Sequence, residues 1–336
     1  MKEFISAPRL STYKSLLKLK TDEHALRAYY WNKALSGALY PALQALEVTL
    51  RNALNEAVKS SHNGSYANDD WWFEHIAINV QDTKIRKMHP SKSKHWIKPD
   101  GNGGFRRKKH SYFEQQVLKV QKDLRNEGRT PIRHDDVLSR LMFGFWCGLL
   151  GSDFEDVTNK TLLWPNLLGD VFPNTPNKPK RIRIEKTLNR IKDLRNRLSH
   201  HEPIWKFYHL LDDGTADYTQ PIGGLTASLA LLNKNYDDIL EFIRWISQER
   251  YDAFIDAKLD LEFRKLCTQD GFYSYVDKTK VEKTVGRSRF KREAHKHIRS
   301  LQDIGAEVIA VTRASKAQLV LGVNEPKVEL ELKIDD

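Results

Sequence analysis

Apolar residues recur every three or four positions through most of the chain up to Ala257, the spacing of helices with one buried face. Leu10, Tyr13, Leu16 and Leu17 mark a short amphipathic helix. Thr21 and Asp22 supply cap chemistry for the next, which carries Leu26, Tyr29, Tyr30 and Trp31. From Leu35 to Val58 a longer helix places Leu39, Leu43, Leu46, Leu50 and Leu54 on one face. The pattern resumes at Tyr112–Asn126. It returns in a helix begun by His134 or Asp135, with Leu138, Leu141, Met142, Phe145, Trp146 and Leu149 as core residues. Pro173, Pro176 and Pro179 make a stiff connector into a helix striped by Ile184, Leu188, Ile191, Leu194 and Leu198, which Pro203 stops. Tyr208 to Gly224 reads as a loop or short hairpin, and Leu225 to Ala257 as one or two closing helices.

The period changes after about Leu266. Asp277 to Val285 reads as a short helix, Gly286 as a turn and Ser288 to Ile304 as a basic helix. Glu307–Thr312, Gln318–Val323 and Val328–Ile334 then alternate like strands. Helix, turn, basic helix and hairpin is the order of a winged helix-turn-helix. The expected fold is therefore mainly α. A helical domain spans 1–262, and a small basic α+β module, winged-helix-like, spans 266–336.

Composition narrows the partners. Across 336 residues the formal net charge is +11, which favours a polyanion such as nucleic acid. Two basic stretches carry that charge. Lys84 to His110 holds ten Lys/Arg against the single acid Asp100, with Trp96 and Phe105 interleaved, and reads as a flexible arm that tracks phosphates and stacks bases. Lys94, Arg106, Arg107 and Lys108 are its candidate contacts. In the C-terminal basic helix Arg289, Lys291, Arg292 and Lys296 face outward from the stripe of Phe290, Ala294, Ile298 and Leu301. The two cysteines support neither a disulfide framework nor a Cys-based zinc site, and no cofactor is expected. With no long apolar run and no signal-peptide pattern, a cytoplasmic protein without membrane contact is expected.

Candidate chemistry gathers at Arg195-Asn196-Arg197-Leu198-Ser199-His200-His201-Glu202-Pro203. Arg195 projects near the apolar stripe, where a guanidinium needs an anion. Asn196 and His200 stand four apart on the neighbouring face. An imidazole can move a proton near neutral pH and a guanidinium can brace a phosphorane-like charge, so the set suits a phosphodiester. On the Leu35–Val58 helix, Glu47 and Arg51 are four apart. They pair with each other, or Glu47 meets Arg195 across the fold. A metal hydrolase built on His200, His201, Glu202 and His209 is disfavoured, because adjacent helical histidines diverge.

That stretch resembles the RN-x3-HHEP signature of the Abi (abortive infection) family, AbiD/AbiF-like, within the HEPN superfamily. Leu46-Glu47-Val48-Thr49-Leu50-Arg51-Asn52, Leu141-Met142-Phe143-Gly144-Phe145-Trp146 and the Trp164 to Phe172 segment agree in order. The resemblance implies a helical, metal-independent RNA endonuclease of phage defence or toxin type, with Arg195, Asn196 and His200 catalytic and Glu47, Arg51 and His201 supporting. It also implies a homodimer with composite sites, an RNA substrate, and an antitoxin or small regulatory RNA as controller. Attack by the substrate's own 2′-hydroxyl would leave 2′,3′-cyclic phosphate ends. A non-catalytic nucleic-acid-binding module is the alternative.

Overall fold

A computed structural model describes residues 5–61, 64–93, 95–99, 101, 105–177, 180–211, 216–277, 283–286, 288, 292–293, 296, 308–312 and 318–322. The chain is mainly helical and forms two compact units. One comprises 36–207 and 230–264. The other comprises 1–35, 208–229 and 265–336, so it groups the first helix and a later hairpin with the C-terminal residues.

The larger unit carries most of α2 (Asp22–Lys59), then α3 (Trp72–Lys87), α4 (Pro90–Ser93), β1 (Ile97–Pro99) and β2 (Phe105–Arg107). Helices α5 (Tyr112–Asn126), α6 (His134–Arg140), α7 (Phe143–Gly148), α8 (Leu168–Val171) and α9 (Arg181–Ser199) follow, with most of α10 (Leu225–Ile246), α11 (Gln248–Asp256) and the start of α12 (Leu261–Leu266). Two helices expected to be separate are one: α2 runs 38 residues with Pro41 inside it, and Thr21 Oγ1 accepts the His24 N–H at its start. All five leucines from Leu39 to Leu54 are buried, as the stripe predicts.

Aromatic rings fill the rest of this core. Trp72 and Trp146 lie 6.4 Å apart and Phe113 meets Phe154 edge-on at 4.9 Å. Three buried indoles have their N–H satisfied: Trp72 by Asn55 Oδ1, Trp146 by the Leu141 carbonyl and Trp164 by the Leu149 carbonyl. That pairing is what lets such large rings be buried without an orphaned donor.

Two expectations change here. The helix begun at His134 is two helices, because Leu141 and Met142 are extended with ψ of 128° and 157°. The break resets the helical phase, so Met142 is exposed while Leu141, Phe145 and Trp146 stay buried. The basic arm is not a bare loop either. β1 and β2 pair antiparallel, with Ile97 opposite Arg107 and Lys98 opposite Arg106.

The smaller unit begins with α1 (Ala7–Leu16) and the first turns of α2, and adds β3 (Tyr208–Leu210) and β4 (Ala216–Pro221), an antiparallel pair. Trp31 is buried, donates to the Leu266 carbonyl at 2.9 Å and meets Phe272 edge-on, while Arg27 reaches the Val276 carbonyl. Helix α13 (Gln269–Val276) supplies Phe272 and Val276. It depends on Gly271, where a Cβ would sit 2.3 Å from the Lys265 carbonyl oxygen.

The C-terminal module is α+β, but among its described residues the order departs from the one expected of a winged helix. Residues Lys283–Gly286 form a strand, β5, where a helix and turn were expected. β5 runs parallel to β6 (Val308–Thr312), which pairs antiparallel with β7 (Gln318–Gly322). Thr284 and Val285 are β-branched, and ladder pairing outweighs the single i,i+4 match of Val281 with Val285. A parallel pair needs a crossover, and Ser288, Arg292, Glu293 and Lys296 within it are helical. The expected strand at Val328–Ile334 lies outside the described residues.

Candidate active site

Helix α9 is held along its length before it reaches the motif. Ile184, Leu188, Ile191 and Leu194 are buried against neighbours that include α7. At its start, Arg181 contacts Glu155 at 2.9 Å, Glu185 at 2.6 Å and the Leu150 carbonyl at 2.6 Å. Midway, Arg190 meets the buried Asp238 at 2.5 Å and Asn235 Oδ1 at 3.2 Å, both on α10. Lys234 also pairs with Asp238, so that acid is compensated twice. Helix α7 packs between α9 and α5, with Gly148 toward α5 and Gly144 near both. A Cβ on Gly148 would lie 2.8 Å from the Phe113 ring, and one on Gly144 would lie 3.9 Å from Lys192 Cδ of α9.

The helix then ends sharply, three residues before the point that Pro203 alone would set. The His201 N–H donates to the Leu198 carbonyl at 3.0 Å and the Glu202 N–H to the Arg197 carbonyl at 2.9 Å. That double reverse bond is a Schellman cap. Its left-handed position, usually glycine, is His201 with φ of 58°. A β-carbon there costs roughly 1 kcal/mol, and sites that keep such strain are often functional. His201 therefore does not continue the helix beside His200. Its backbone turns the chain. Beyond the cap, the Arg197 guanidinium donates to the Pro203 carbonyl and lies 5.5 Å from the Phe207 ring, and Ile204 and Trp205 are buried.

The motif has an inner and an outer half. Arg195 is half-buried, whereas Asn196, Ser199, His200, His201 and Glu202 are exposed. Glu47 of α2, also half-buried, faces the inner half. Burial pushes its carboxyl above the usual range, against the opposing pull of Arg195, then Arg51, then the Phe143 N–H it accepts at the start of α7. The two readings of Glu47 thus combine, since it feels both arginines. Arg51 spends one N–H on the Ser139 carbonyl at 3.0 Å. The Phe143 donor was not legible in advance, because it exists only where the chain breaks before α7. Cys147 on α7 is buried and burial pushes its thiol up, so it packs and does not react.

The remaining predicted contacts lie elsewhere. Lys108 is exposed beyond β2, as are Arg292 and Lys296 in the C-terminal module. Arg106 and Arg107 are placed in the strand by their backbones alone. Lys94, Arg289 and Lys291 lie outside the described residues. A polar cleft of about 590 Å³ opens beside Tyr66, Asn79, Lys84, Asp153 and Thr161, and contains none of the motif residues. The motif presents an open surface. Among the described residues no group of three or more His, Cys, Asp or Glu side chains gathers as a metal site, and no helix is long and apolar enough to cross a membrane.

Comparison with known proteins supplies one match. The profile of a family described as Abi-like protein matches residues 4–206, more than half of the 336 residues. No curated protein and no solved structure matches the chain.

Proposed function

The chain belongs to the Abi-like protein family, and on that premise we propose that it is a metal-independent RNA endonuclease of HEPN type. The family points to abortive infection, a phage-defence response. In this reading His200 takes the proton of a ribose 2′-hydroxyl, whose oxygen then attacks the adjacent phosphorus. The bond from phosphorus to the 5′-oxygen breaks, that oxygen receives a proton, and the ends are a 2′,3′-cyclic phosphate and a 5′-hydroxyl. Arg195 braces the added charge and Asn196 orients the phosphate. Glu47 and Arg51 position Arg195. His201 sets the helix end.

The observation that carries this reading is the arrangement itself. A half-buried guanidinium stands beside an exposed amide and imidazole at the last turn of a helix anchored at both its start and its middle. Because those side chains lie on an open surface, a second copy of the chain completes the site. Its His200 then supplies the proton that the first cannot give while acting as base. An antitoxin or small regulatory RNA would keep such an enzyme silent in the cytoplasm.

Labelled RNA incubated with the protein in excess EDTA, beside a metal-supplemented control, tests the reading. Cleavage in EDTA that leaves cyclic phosphate ends, and that stops when the scissile ribose is 2′-deoxy, is the expected result. Binding without cleavage in either condition would make it a nucleic-acid-binding module instead. Cleavage that needs the added metal, or that ignores the 2′-deoxy sugar, overturns the mechanism.

A further inference from the structure

We propose that the β1–β2 hairpin, with Trp96, Lys98 and Lys109, is the surface that holds unpaired RNA. The proposal rests on the nuclease reading only for what is later cut. From Lys84 to His110 there are ten Lys/Arg and one acid. Lys84 pairs with Asp153, and Lys92, Lys98 and Lys109 are exposed. Cations this dense along one stretch of chain repel one another, which favours an anion from outside.

The element is also prearranged. The Lys108 N–H donates to the Trp96 carbonyl at 2.5 Å, extending the ladder by one rung beyond the Ile97 and Arg107 pair. The returning strand then enters α5 through a capping box, in which Ser111 and Glu114 satisfy each other's backbone donors. A ribbon tied at its exit loses less freedom on binding than a loose loop would. Trp96 is half-buried, and Lys109 Nζ lies 5.9 Å from its ring centroid. An indole beside an ammonium group is what single-strand binders use to stack a base while neutralising its phosphate. Duplex RNA keeps its bases stacked internally and offers no face to that indole. The chemistry therefore selects a single strand.

Affinity is measured by fluorescence anisotropy with a labelled single-stranded oligoribonucleotide and the same sequence as a duplex. The full-length His200→Ala protein is used so that nothing is cut. Lys98→Glu with Lys109→Glu should weaken single-strand binding more than tenfold and make the salt dependence shallower by about 1.4, at about 0.7 per phosphate contact. The charge-keeping Lys98→Arg with Lys109→Arg should bind as the parent does, and circular dichroism identifies any variant that has merely unfolded. Trp96→Leu should lose about tenfold on the single strand and nothing on the duplex. Unchanged affinity and slope in the glutamate pair overturns the proposal, and so does equal loss on both RNAs in Trp96→Leu. The two readings fail separately. A wild-type protein that binds through the hairpin but never cuts sinks the nuclease, whereas a wild-type enzyme whose kcat/KM survives the glutamate pair sinks the hairpin.

Discussion

The inner and outer halves of the motif meet at the last turn of α9 and its cap, yet live in different physical settings. Arg195 is half-buried beside Glu47, which is itself held by the Phe143 N–H. Asn196 and His200 stand in solvent. The inner half is bound into the fold, so changing it should move stability and activity together. The Asn196 and His200 side chains are exposed, so changing them should move activity with little change in stability.

The sharpest test of that contrast is His200→Ala. Cleavage should fall by about 10²–10⁴-fold, the range for a lost proton-transfer group, with RNA affinity nearly unchanged and Tm within a degree or so of wild type. A large drop in Tm would erase the distinction. Arg195→Ala should also lose cleavage, by about 10²–10³-fold, and in addition cost roughly 1–2 kcal/mol of stability, because it strips a cation from a half-buried carboxylate. Urea unfolding should show that cost growing as pH rises and Glu47 ionises.

Glu47→Gln separates stability from activity within the inner half. A raised carboxyl pKa means the folded state favours the protonated form, so the stability Glu47 contributes is fully present at low pH and is lost as pH rises through its raised value. Glutamine mimics the protonated form. The variant should match wild type in acid, become the more stable protein as pH climbs past the usual carboxylate range, and cut more slowly at neutral pH. If wild type is the more stable at neutral pH, the arginines outweigh burial. The smallest expected effect is that of His201→Gly. Relief of the left-handed strain should add about 0.5–1 kcal/mol and leave cleavage close to wild type, since the backbone turn is kept. A loss of cleavage as deep as that of His200→Ala would give the His201 imidazole a chemical role.

Much of this was written in the sequence. The leucines of α2 and the apolar stripe of α9 as far as Leu194 are buried where a 3.6-residue period puts them, while Leu198 at the helix end is only half-buried. Three features were not legible, each because it depends on partners distant in sequence or on a break in period. The extended pair Leu141–Met142 creates the Phe143 donor, and no spacing rule announces it. His201 occupies a position that composition would give to glycine. Residues 283–285 read as the end of a helix and Gly286 as a turn, and they become a strand because residues 309–312 pair alongside. The division near residue 262 also hides a dependence, since Trp31 rests on Leu266 and Phe272. A chain meant to lack only the C-terminal sheet should end at Asp277.

Gly148 offers a way to weaken the proposed site without changing any of its residues. A methyl group there would press on the Phe113 ring, which already lies against Phe145 and Phe154 and has little room to yield. The helix it belongs to starts at the residue whose N–H steadies Glu47. Gly148→Ala is therefore a natural conditional allele. Under the proposed function, such a strain would lose the cleavage at warm temperature and regain it on cooling, so that the protein could be carried, grown and switched on at will.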